Sequence, residues 1–452
     1  METFLIKAAQ LILALALLVI VHEFGHYFFA RVFGIRVEKF YLFFNPWFSL
    51  VKWKPKASAK RKVTKDGREK ASWRDTEYGI GWVPLGGYCK IAGMIDESMD
   101  KEQMNQPAKP DEFRSRPAYQ RLLVMVGGVL FNFILACIIY IGIAWYWGDR
   151  SIPYENAFAG MNFSEEAHLA GYKDGDIILL ADGKPVEAKD RDNILVVAMA
   201  KDVTVRRDGR DTVIHNPANF ATSLENGFFE YRLPVFVKQV NGGSPASKAG
   251  LQENDHIVAI DGVPTPSFTE LTRELQANSD KEVELKVIRN GQETILKAVP
   301  EDGKLGFGLK QFHEIYDVEI IKYNLLQAVP KGISDGANQL VTYVSSLKLL
   351  FTKSGASQIG GFGAIGSLFP PKWDWRTFWE MAAFLSIILA FMNILPIPAL
   401  DGGHVLFVLW EIITRRKPSE KFLERAQVCG MFFLLALLLY ANGNDIYRFI
   451  FK

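Results

Sequence analysis

Apolar residues fill four stretches of the chain that are each long enough to cross a lipid bilayer. The first starts at Leu11 and ends near Ala30, and the others cover residues 122–147, 378–400 and 428–440 with its flanks. An α-helix needs about 20 apolar residues to span the hydrocarbon core of a membrane. The pattern therefore predicts four transmembrane helices, of which the fourth has the shortest apolar run.

The segment between the second and third stretches has a different pattern, and it repeats. Residues 170–178 with Asp-Gly-Lys-Pro at 182–185 return as residues 249–257 with Asp-Gly-Val-Pro at 261–264, and an Arg-x-Gly turn follows each copy. A period of about 80 residues is too long for a solenoid unit and fits two small domains in tandem. Because Asp-Gly and Asn-Gly pairs favour tight hairpins, each copy should be a β-rich fold with a helix or two.

Beyond the second copy, apolar residues recur at every third or fourth position from Leu326 to Phe351. This spacing predicts one apolar helix face. Pro330 and Gly332 argue against a single unbroken helix. We therefore expect one or two helices that lie on the membrane surface or against the repeated domains.

Composition and charge indicate a protein of mixed character. Of the 452 residues, 49% are hydrophobic and 23% are charged, which is too many charges for a chain buried wholly in a membrane. Basic residues cluster after the first span, before the second, and between the third and fourth. By the positive-inside rule these loops are cytoplasmic, so both termini and the segment from Gly148 to Trp375 are extracytoplasmic. The basic run from Lys52 to Lys70 fits contact with anionic membrane lipid better than contact with nucleic acid.

The first apolar stretch contains the motif His22-Glu23-Phe24-Gly25-His26. Two histidines four residues apart project from one face of a helix and can bind one Zn²⁺, and the glutamate between them can act as a general base. Each ionisable group at mid-bilayer costs about 2.5–3.5 kcal/mol, so such a cluster indicates a site rather than chance. A cleaved signal peptide fits poorly, because no small-residue cleavage site follows the apolar run.

A hydrolytic zinc site needs a third protein ligand and an open position. The best candidate is Asp401 in the third span, which follows Pro396 and Pro398 and precedes two glycines. The prolines break the helix and the glycines allow close approach, so irregular backbone can line a cavity there. The charge-based topology brings Asp401 to the same depth as the two histidines. His404 is the alternative ligand; we favour Asp401 and assign His404 a supporting role.

These motifs resemble those of the site-2 protease family, in particular its bacterial regulator-of-sigma-E (RseP-type) members. The resemblance rests on His-Glu-x-x-His, on Asn-x-x-Pro-x-Pro-x-Leu-Asp-Gly-Gly at 393–403, and on the tandem domains, whose Gly-Ser-Pro-Ala at 243–246 is similar to PDZ domains. It implies a zinc-dependent intramembrane protease of the bacterial inner membrane that cleaves single-span proteins, such as anti-sigma factors, or signal-peptide remnants. It also implies that Asn393 binds the unwound substrate. A PDZ fold can add a peptide strand, here near residues 233–237.

The stretch from Tyr78 to Ile91 alternates large residues around a Gly-Gly pair, which predicts a β-hairpin. An ordinary cytoplasmic hairpin would satisfy this pattern. The family resemblance implies instead that the hairpin re-enters the membrane beside the zinc, where one of its strands would pair with the substrate. We therefore expect the substrate to be bound by Ile80, Trp82, Gly86 and Gly87.

The chain departs from the family pattern at two places. The second span has Gly127-Gly128 followed by Asn132 where the family commonly has Gly-Pro-x-x-Asn, and residues 360–366 lack the usual proline. We expect neither departure to touch a metal ligand, so both should affect helix geometry and substrate preference rather than the chemistry.

The sequence thus predicts an α-helical membrane protein with about four transmembrane helices, an extracytoplasmic tandem of two PDZ-like α+β domains and a membrane-associated β-hairpin. The expected order is first span 1–33, hairpin region 34–117, second span 118–148, PDZ-like domains 149–228 and 229–312, amphipathic helical linker 313–376, third span 377–412, cytoplasmic loop 413–425, and fourth span with the C-terminus 426–452. The main alternative is a catalytically inactive membrane-anchored PDZ scaffold. A metal transporter is a weaker one, because the chain has few spans and carries a hydrolase base.

Overall fold

A computed structural model describes residues 2–56, 71–84, 86–94, 107–186, 194–224, 227–347 and 360–451. The chain forms two compact units. One comprises Met1–Trp147 and Tyr323–Lys452, and the other is Gly148–Lys322. We call the first the membrane unit and the second the inserted unit, because its sequence interrupts that of the first.

Helices and strands are numbered in chain order. The α-helices are α1 (Glu2–Val32), α2 (Ala118–Tyr146), α3 (Glu165–Leu169), α4 (Leu195–Met199), α5 (Phe220–Ser223), α6 (Pro245–Lys248), α7 (Phe268–Ala277), α8 (Phe312–Ile315), α9 (Leu325–Ser346), α10 (Phe362–Ser367), α11 (Trp375–Ile394), α12 (Asp401–Thr414) and α13 (Glu420–Phe451). The β-strands are β1 (Val37–Leu42), β2 (Val51–Trp53), β3 (Glu77–Ile80), β4 (Tyr88–Ile91), β5 (Asp149–Ser151), β6 (Met161–Phe163), β7 (Ile177–Ala181), β8 (Lys184–Pro185), β9 (Asp202–Arg207), β10 (Arg210–His215), β11 (Phe229–Tyr231), β12 (Val235–Val240), β13 (His256–Ile260), β14 (Val263–Pro264), β15 (Val283–Arg289), β16 (Gln292–Ala298), β17 (Phe307–Leu309) and β18 (Glu319–Ile321).

Four helices of the membrane unit, α1, α2, α11 and α13, are long and apolar enough to cross a membrane. This agrees with the four spans predicted from the apolar stretches. The helix α13 extends well beyond the apolar run at 428–440. Charged side chains near the ends of such a helix can reach the membrane interface, which explains why the apolar run underestimates its length.

The second span is the centre of the membrane unit. It packs against α1, α9, α11 and α12. In its most apolar window 44% of residues are buried, compared with 11% in the fourth span. Its buried face includes Gly127, Gly128 and Ala136. Helices in lipid associate by close packing of small residues, so a helix with this face can contact several neighbours.

The third span is broken where the prolines predicted a break. The helix α11 ends at Ile394, and α12 starts at Asp401. The predicted span 377–412 is therefore two helices joined by an irregular turn. A Cβ on Gly402 would lie 2.1 Å from the Leu395 carbonyl oxygen, so only glycine fits there. This confirms that the glycines allow the backbone of α12 to approach the turn closely.

The helix α9 differs from the predicted linker in where it packs. It is one continuous helix through Pro330, which agrees with the expected one or two helices. It packs against the second span through small residues, since a Cβ on Gly332 would lie 2.4 Å from the Ile141 backbone nitrogen. Most of the described part of its predicted apolar face, including Leu326 and Ile333, is exposed, and the end of that face at 348–351 lies outside the described residues. Close packing of glycines rather than an apolar face makes the contact, as is usual between helices in lipid.

The predicted hairpin from Tyr78 to Ile91 is wrong in its pairing. The strands β3 and β4 do not pair with each other, because β1 lies between them in a sheet of order β2-β3-β1-β4. The strand β1 runs parallel to β3 and antiparallel to β4. The alternation of large and small residues shows that a segment is a strand but not which strand it pairs with. A hairpin and this sheet therefore have the same local sequence pattern. The edge strands among the described residues are β2 and β4.

The inserted unit confirms the internal repeat. The first copy has the strand order β10-β9-β7-β8, and the second has the matching order β16-β15-β13 with β14 beside β13. The hairpin turns contain Asp182-Gly183, Asp208-Gly209, Asp261-Gly262 and Asn290-Gly291, and all of these residues have positive φ. These are the dihedral angles that a two-residue hairpin turn requires.

Each copy has its own hydrophobic core. One core contains Tyr154, Phe163 and Tyr172, and the other contains Val235 and Leu271. The strand β11, which the predicted boundary at 228/229 assigns to the second copy, pairs with β6 of the first. The predicted peptide-receiving strand at 233–237 is wrong, because β12 pairs with β13 on one side and with β17 on the other.

The same buried ion pair occurs at matching positions of the two copies. Arg207 donates to both carboxylate oxygens of Asp176, at 2.7 and 2.6 Å. Arg289 makes the corresponding bidentate contact with Asp255, at 2.7 Å for both bonds. Each arginine also donates to a backbone carbonyl, of Gly171 or Gly250. Bidentate pairs of this kind fix the turn between the first helix of the copy and its first long strand.

We predict that Asp255→Ala destabilises the inserted unit by about 3 kcal/mol, because Arg289 would lose its buried partner. The matched control is Lys297→Ala, which removes an ion pair with Glu282 in which both side chains are 61% exposed and should cost under about 1 kcal/mol. The measurement is urea-dependent proteolysis of the inserted unit in the full-length protein in detergent. Equal stability of the two variants would contradict the structural role of the buried pair.

Candidate metal centre

The histidines of the first motif lie together on one face of α1. Their Nε2 atoms are 3.3 Å apart, and both side chains are buried. A spacing of four residues in a helix places His22 and His26 one above the other, as the sequence predicted. The pair therefore offers two nitrogen ligands to one ion.

Asp401 completes a group of three potential ligands. It is the first residue of α12, and its Oδ2 atom lies 3.1 Å from the Nε2 of His22 and 3.2 Å from the Nε2 of His26. The ligand atoms of the three residues lie within 4.8 Å of one another. Ala399 in the preceding turn has a φ of 79°, a strained conformation that directs the start of α12 towards α1.

The Oδ2 atom of Asp401 is buried and has no hydrogen-bond donor among the described residues. A buried carboxylate oxygen without a donor is costly, and a cation between it and the two imidazoles removes that cost. Two nitrogen ligands and one carboxylate are a common donor set of hydrolytic zinc sites. The residues present therefore fit Zn²⁺. His404 lines the same cavity but is outside this group of three.

The second span approaches the histidines as closely as backbone allows. A Cβ on Gly25 of α1 would lie 2.2 Å from the Gly127 carbonyl oxygen, and a Cβ on Gly128 would lie 2.5 Å from the Nε2 of His26. Our expectation that Gly127-Gly128 does not touch a ligand was therefore wrong. Whether these glycines touch the histidines depends on which face of the second span points at the first, and the sequence does not show this orientation.

Two groups of the second span orient the imidazoles. The Nδ1 of His26 lies 2.8 Å from the Val124 carbonyl oxygen, which can accept its proton and leave Nε2 free for a metal. The side-chain amide of Asn132 lies 3.2 Å from the Nδ1 of His22. Asn132 is fully buried and its Oδ1 has no partner among the described residues. Rotating the amide by 180° would let Oδ1 accept the Nδ1 proton of His22.

Sequence reasoning missed Asn132 as a site residue. The signal was present, because an asparagine in the middle of an apolar span needs a polar partner. The Ser386 hydroxyl donates to the backbone carbonyl of Asn132 at 2.8 Å. This hydrogen bond connects the second span to α11 beside the site.

Glu23 lies next to the three potential ligands and lines the same cavity. The backbone of Cys89 on β4 lies close enough to its carboxylate to interact with it electrostatically. A Cβ on Gly87 would lie 3.6 Å from the Glu23 Cγ atom and 2.7 Å from a methyl of Val19. The close approach at Gly87 lets the start of β4 reach α1, so the sheet holds the Glu23 carboxylate beside the ligands.

The cavity has a volume of about 650 Å³ and is bounded by α1, β4 and the broken third span. Three of the residues expected to bind substrate line it, namely Asn393, Gly86 and Gly87. The Nδ2 atom of Asn393 is 3.4 Å from the Nε2 of His22. Ile80 and Trp82 are outside the lining: Ile80 lies in the interior strand β3, and the Trp82 indole donates to the Pro46 carbonyl at 2.9 Å.

Comparison with known proteins agrees with this geometry. The family model of peptidase family M50 matches residues 10–60 and 68–437. The chain is 28% identical to the regulator of sigma E protease of Haemophilus influenzae, over 99% of this chain and all of that protein. It is 27% identical to the regulator of sigma-E protease RseP of Escherichia coli, over 99% and 100%, and 27% identical to a putative zinc metalloprotease of Ralstonia nicotianae, over 97% of both.

The match to the family model covers most of the chain and includes both metal motifs. The chain therefore belongs to peptidase family M50, the site-2 protease family that those motifs resemble.

Proposed function

We propose that this protein is a zinc-dependent endopeptidase that cleaves single-span membrane proteins within the bilayer. The observation that carries the proposal is the cluster of His22, His26 and Asp401 beside Glu23, in a cavity among helices long enough to cross a membrane. The names of the relatives, which include a zinc metalloprotease and two sigma-E regulators, support it.

In this proposal the three ligands hold the metal, and Glu23 transfers the protons. A zinc ion held by them would lower the pKa of a water molecule to about 7 and polarise the scissile carbonyl. Glu23 accepts the proton of the attacking water and later gives it to the leaving amine. The start of β4, which approaches α1 closely at Gly87, keeps the Glu23 carboxylate beside the ligands between these two steps.

The substrate must be locally unwound, because a helix hides its carbonyls in its own hydrogen bonds. We infer that the edge strand β4, rather than the interior strand β3, pairs with the extended substrate. Gly86 and Gly87 lead into β4 at the cavity wall, and the side-chain amide of Asn393 lies across from them beside His22. This reassigns the strand-pairing role expected of Ile80 and Trp82 to β4.

The names of the relatives support a substrate class. We propose transmembrane segments of anti-sigma factor-like proteins or of signal-peptide remnants as substrates, in the bacterial inner membrane. The distribution of basic residues supports an extracytoplasmic position of the termini and the inserted unit. We further propose that the two copies in the inserted unit are PDZ-like domains, supported by their shared strand order, and that they restrict the size of the substrate's extracytoplasmic part.

We predict that Glu23→Gln lowers peptide cleavage by about 10²–10⁴-fold and retains one Zn²⁺ per chain, because Glu23 transfers protons and is not a ligand. Asp401→Ala should lose the zinc. The measurements are cleavage of one model transmembrane substrate and metal content by mass spectrometry. Full activity of Glu23→Gln would favour the inactive scaffold, and undiminished zinc in Asp401→Ala would make His404 the third ligand.

We also predict that Gly128→Ala lowers zinc affinity roughly tenfold or more, because the added methyl would displace the His26 imidazole. The matched control is Gly142→Ala on the same helix, where nothing lies within 4 Å of the added Cβ. Zinc titration of both purified variants measures the effect. Equal affinities would show that the histidines do not depend on this contact.

A third prediction concerns the inserted unit. Ser151 and Glu319 are opposite each other in the antiparallel pair β5–β18, so residues 152–318 can be replaced by a short glycine-rich turn that closes a hairpin. The shortened protein should cleave substrates that still carry a bulky extracytoplasmic domain, and the full-length protein should reject them. The same replacement with Glu23→Gln is the control for background proteolysis. A folded, zinc-loaded variant that still rejects these substrates would place the size limit elsewhere.

A further inference from the structure

The sheet of the membrane unit carries an exposed group of aromatic and apolar side chains outside the lining of the cavity that holds the potential metal ligands. We call it the aromatic platform, and its members are Trp47, Phe48, Leu50, Val51, Trp53, Trp73 and Trp82. Trp47 is 91% exposed. Its ring stacks with that of Trp82 at 6.0 Å between centroids, and the ring of Phe48 also stacks with that of Trp82, at 5.7 Å.

The conformation of the loop that carries the platform is fixed by side-chain hydrogen bonds. Phe43 and Trp47 have φ values of 67° and 70°, and a bulky residue in this conformation costs of order 1–3 kcal/mol. The loop is nevertheless held there by side chains: the Asn45 amide donates to the Ser49 hydroxyl at 3.0 Å, and the Tyr88 hydroxyl donates to Asn45 at 2.9 Å. The fold therefore maintains a strained backbone that presents Trp47 outward.

Cations border the aromatic rings. Lys52, Lys54 and Lys56 are exposed, and residues 43–56 contain no aspartate or glutamate. Tryptophan and lysine together are typical of segments that lie at the membrane–water interface, because the indole is amphipathic and the ammonium reaches anionic headgroups. A surface that binds another protein does not require its aromatic and basic residues to be separated in this way.

The contacts of the sheet with α1 give its depth in the membrane. Trp53 pairs with Tyr78, whose hydroxyl lies 2.8 Å from that of Tyr27, near the end of α1. Arg31 donates to the Ala71 carbonyl at 2.7 Å, so this end of the sheet lies level with the end of the span. Val51 pairs with Ile80, further from that end. Where the end of α1 meets the headgroups, the lysines beside Trp53 are level with them, and Leu50 and Trp47 are deeper.

We propose that the aromatic platform and Lys52, Lys54 and Lys56 form a docking surface for anionic phospholipid at the cytoplasmic interface of the bilayer. The rings enter the upper acyl region, and the lysines bind the headgroup phosphates. This inference does not depend on catalysis. It extends the lipid contact expected of the basic run to a defined surface around β2, which is an edge strand among the described residues. The rest of that run, residues 57–70, lies outside the described residues.

The test uses nitroxide labels on the full-length protein, in a background with the three native cysteines replaced, in vesicles of phosphatidylcholine with or without phosphatidylglycerol. Leu50→Cys reports on the platform, and Leu169→Cys, at a 90% exposed leucine of the inserted unit, is the matched control. The ratio of collisions with oxygen to collisions with a water-soluble nickel complex should be several-fold higher at position 50 than at position 169.

Phosphatidylglycerol should raise the ratio at position 50 further. Replacing Lys52, Lys54 and Lys56 by glutamine should abolish this increase and leave the zinc content unchanged. Equal ratios at positions 50 and 169 would overturn the proposal. So would dipolar broadening between labels at position 50, which would show that a second copy of the chain covers the platform. An increase with phosphatidylglycerol that survives the glutamine substitutions would overturn the assignment of the lysines.

Discussion

The contact between the first and second spans is the constraint on which the rest of the site depends. The backbones meet where Gly25 faces Gly127, so closely that neither position has room for a Cβ. Lipid offers no hydrophobic drive for helices to associate, so the approach must come from fitting backbone to backbone. It places Gly128 against both imidazoles and brings the polar groups of the second span within hydrogen-bond reach of them.

That approach also explains how a polar cluster persists among apolar helices. The Nδ1 atoms of His22 and His26 face Asn132 and the Val124 carbonyl, so the second span fixes which nitrogen each ring offers to a metal. The third span brings the Asp401 carboxylate to the imidazoles from a turn whose prolines cannot continue the helix. One span thus carries the two imidazoles, one orients them, and one brings the carboxylate, and each position needs a different departure from a plain apolar helix.

The residues that the structure brings together were predictable from the sequence where they form a dense local pattern. His22, Glu23 and His26 are recognisable because ionisable groups in an apolar run demand an explanation, and Asp401 because prolines and glycines surround it. The repeat was equally clear from its turns. Asn132 was missed because a single polar residue does not show which helix it faces. The pairing of β1 between β3 and β4, and the continuity of α9 through Pro330, depend on contacts between distant segments that local spacing does not encode.

The sheet shows why this non-local pairing matters for the chemistry. A hairpin of β3 and β4 alone would be free to tilt, whereas β1 joins both strands directly to the end of α1. The resulting sheet has its edge strand β4 at the Glu23 carboxylate and its opposite edge β2 beside the exposed aromatic rings. The hydrogen-bonded strands thus connect the exposed aromatic rings to the strand beside Glu23. The position of Glu23 therefore depends on the packing of the spans and also on a sheet whose strand pairing is not local.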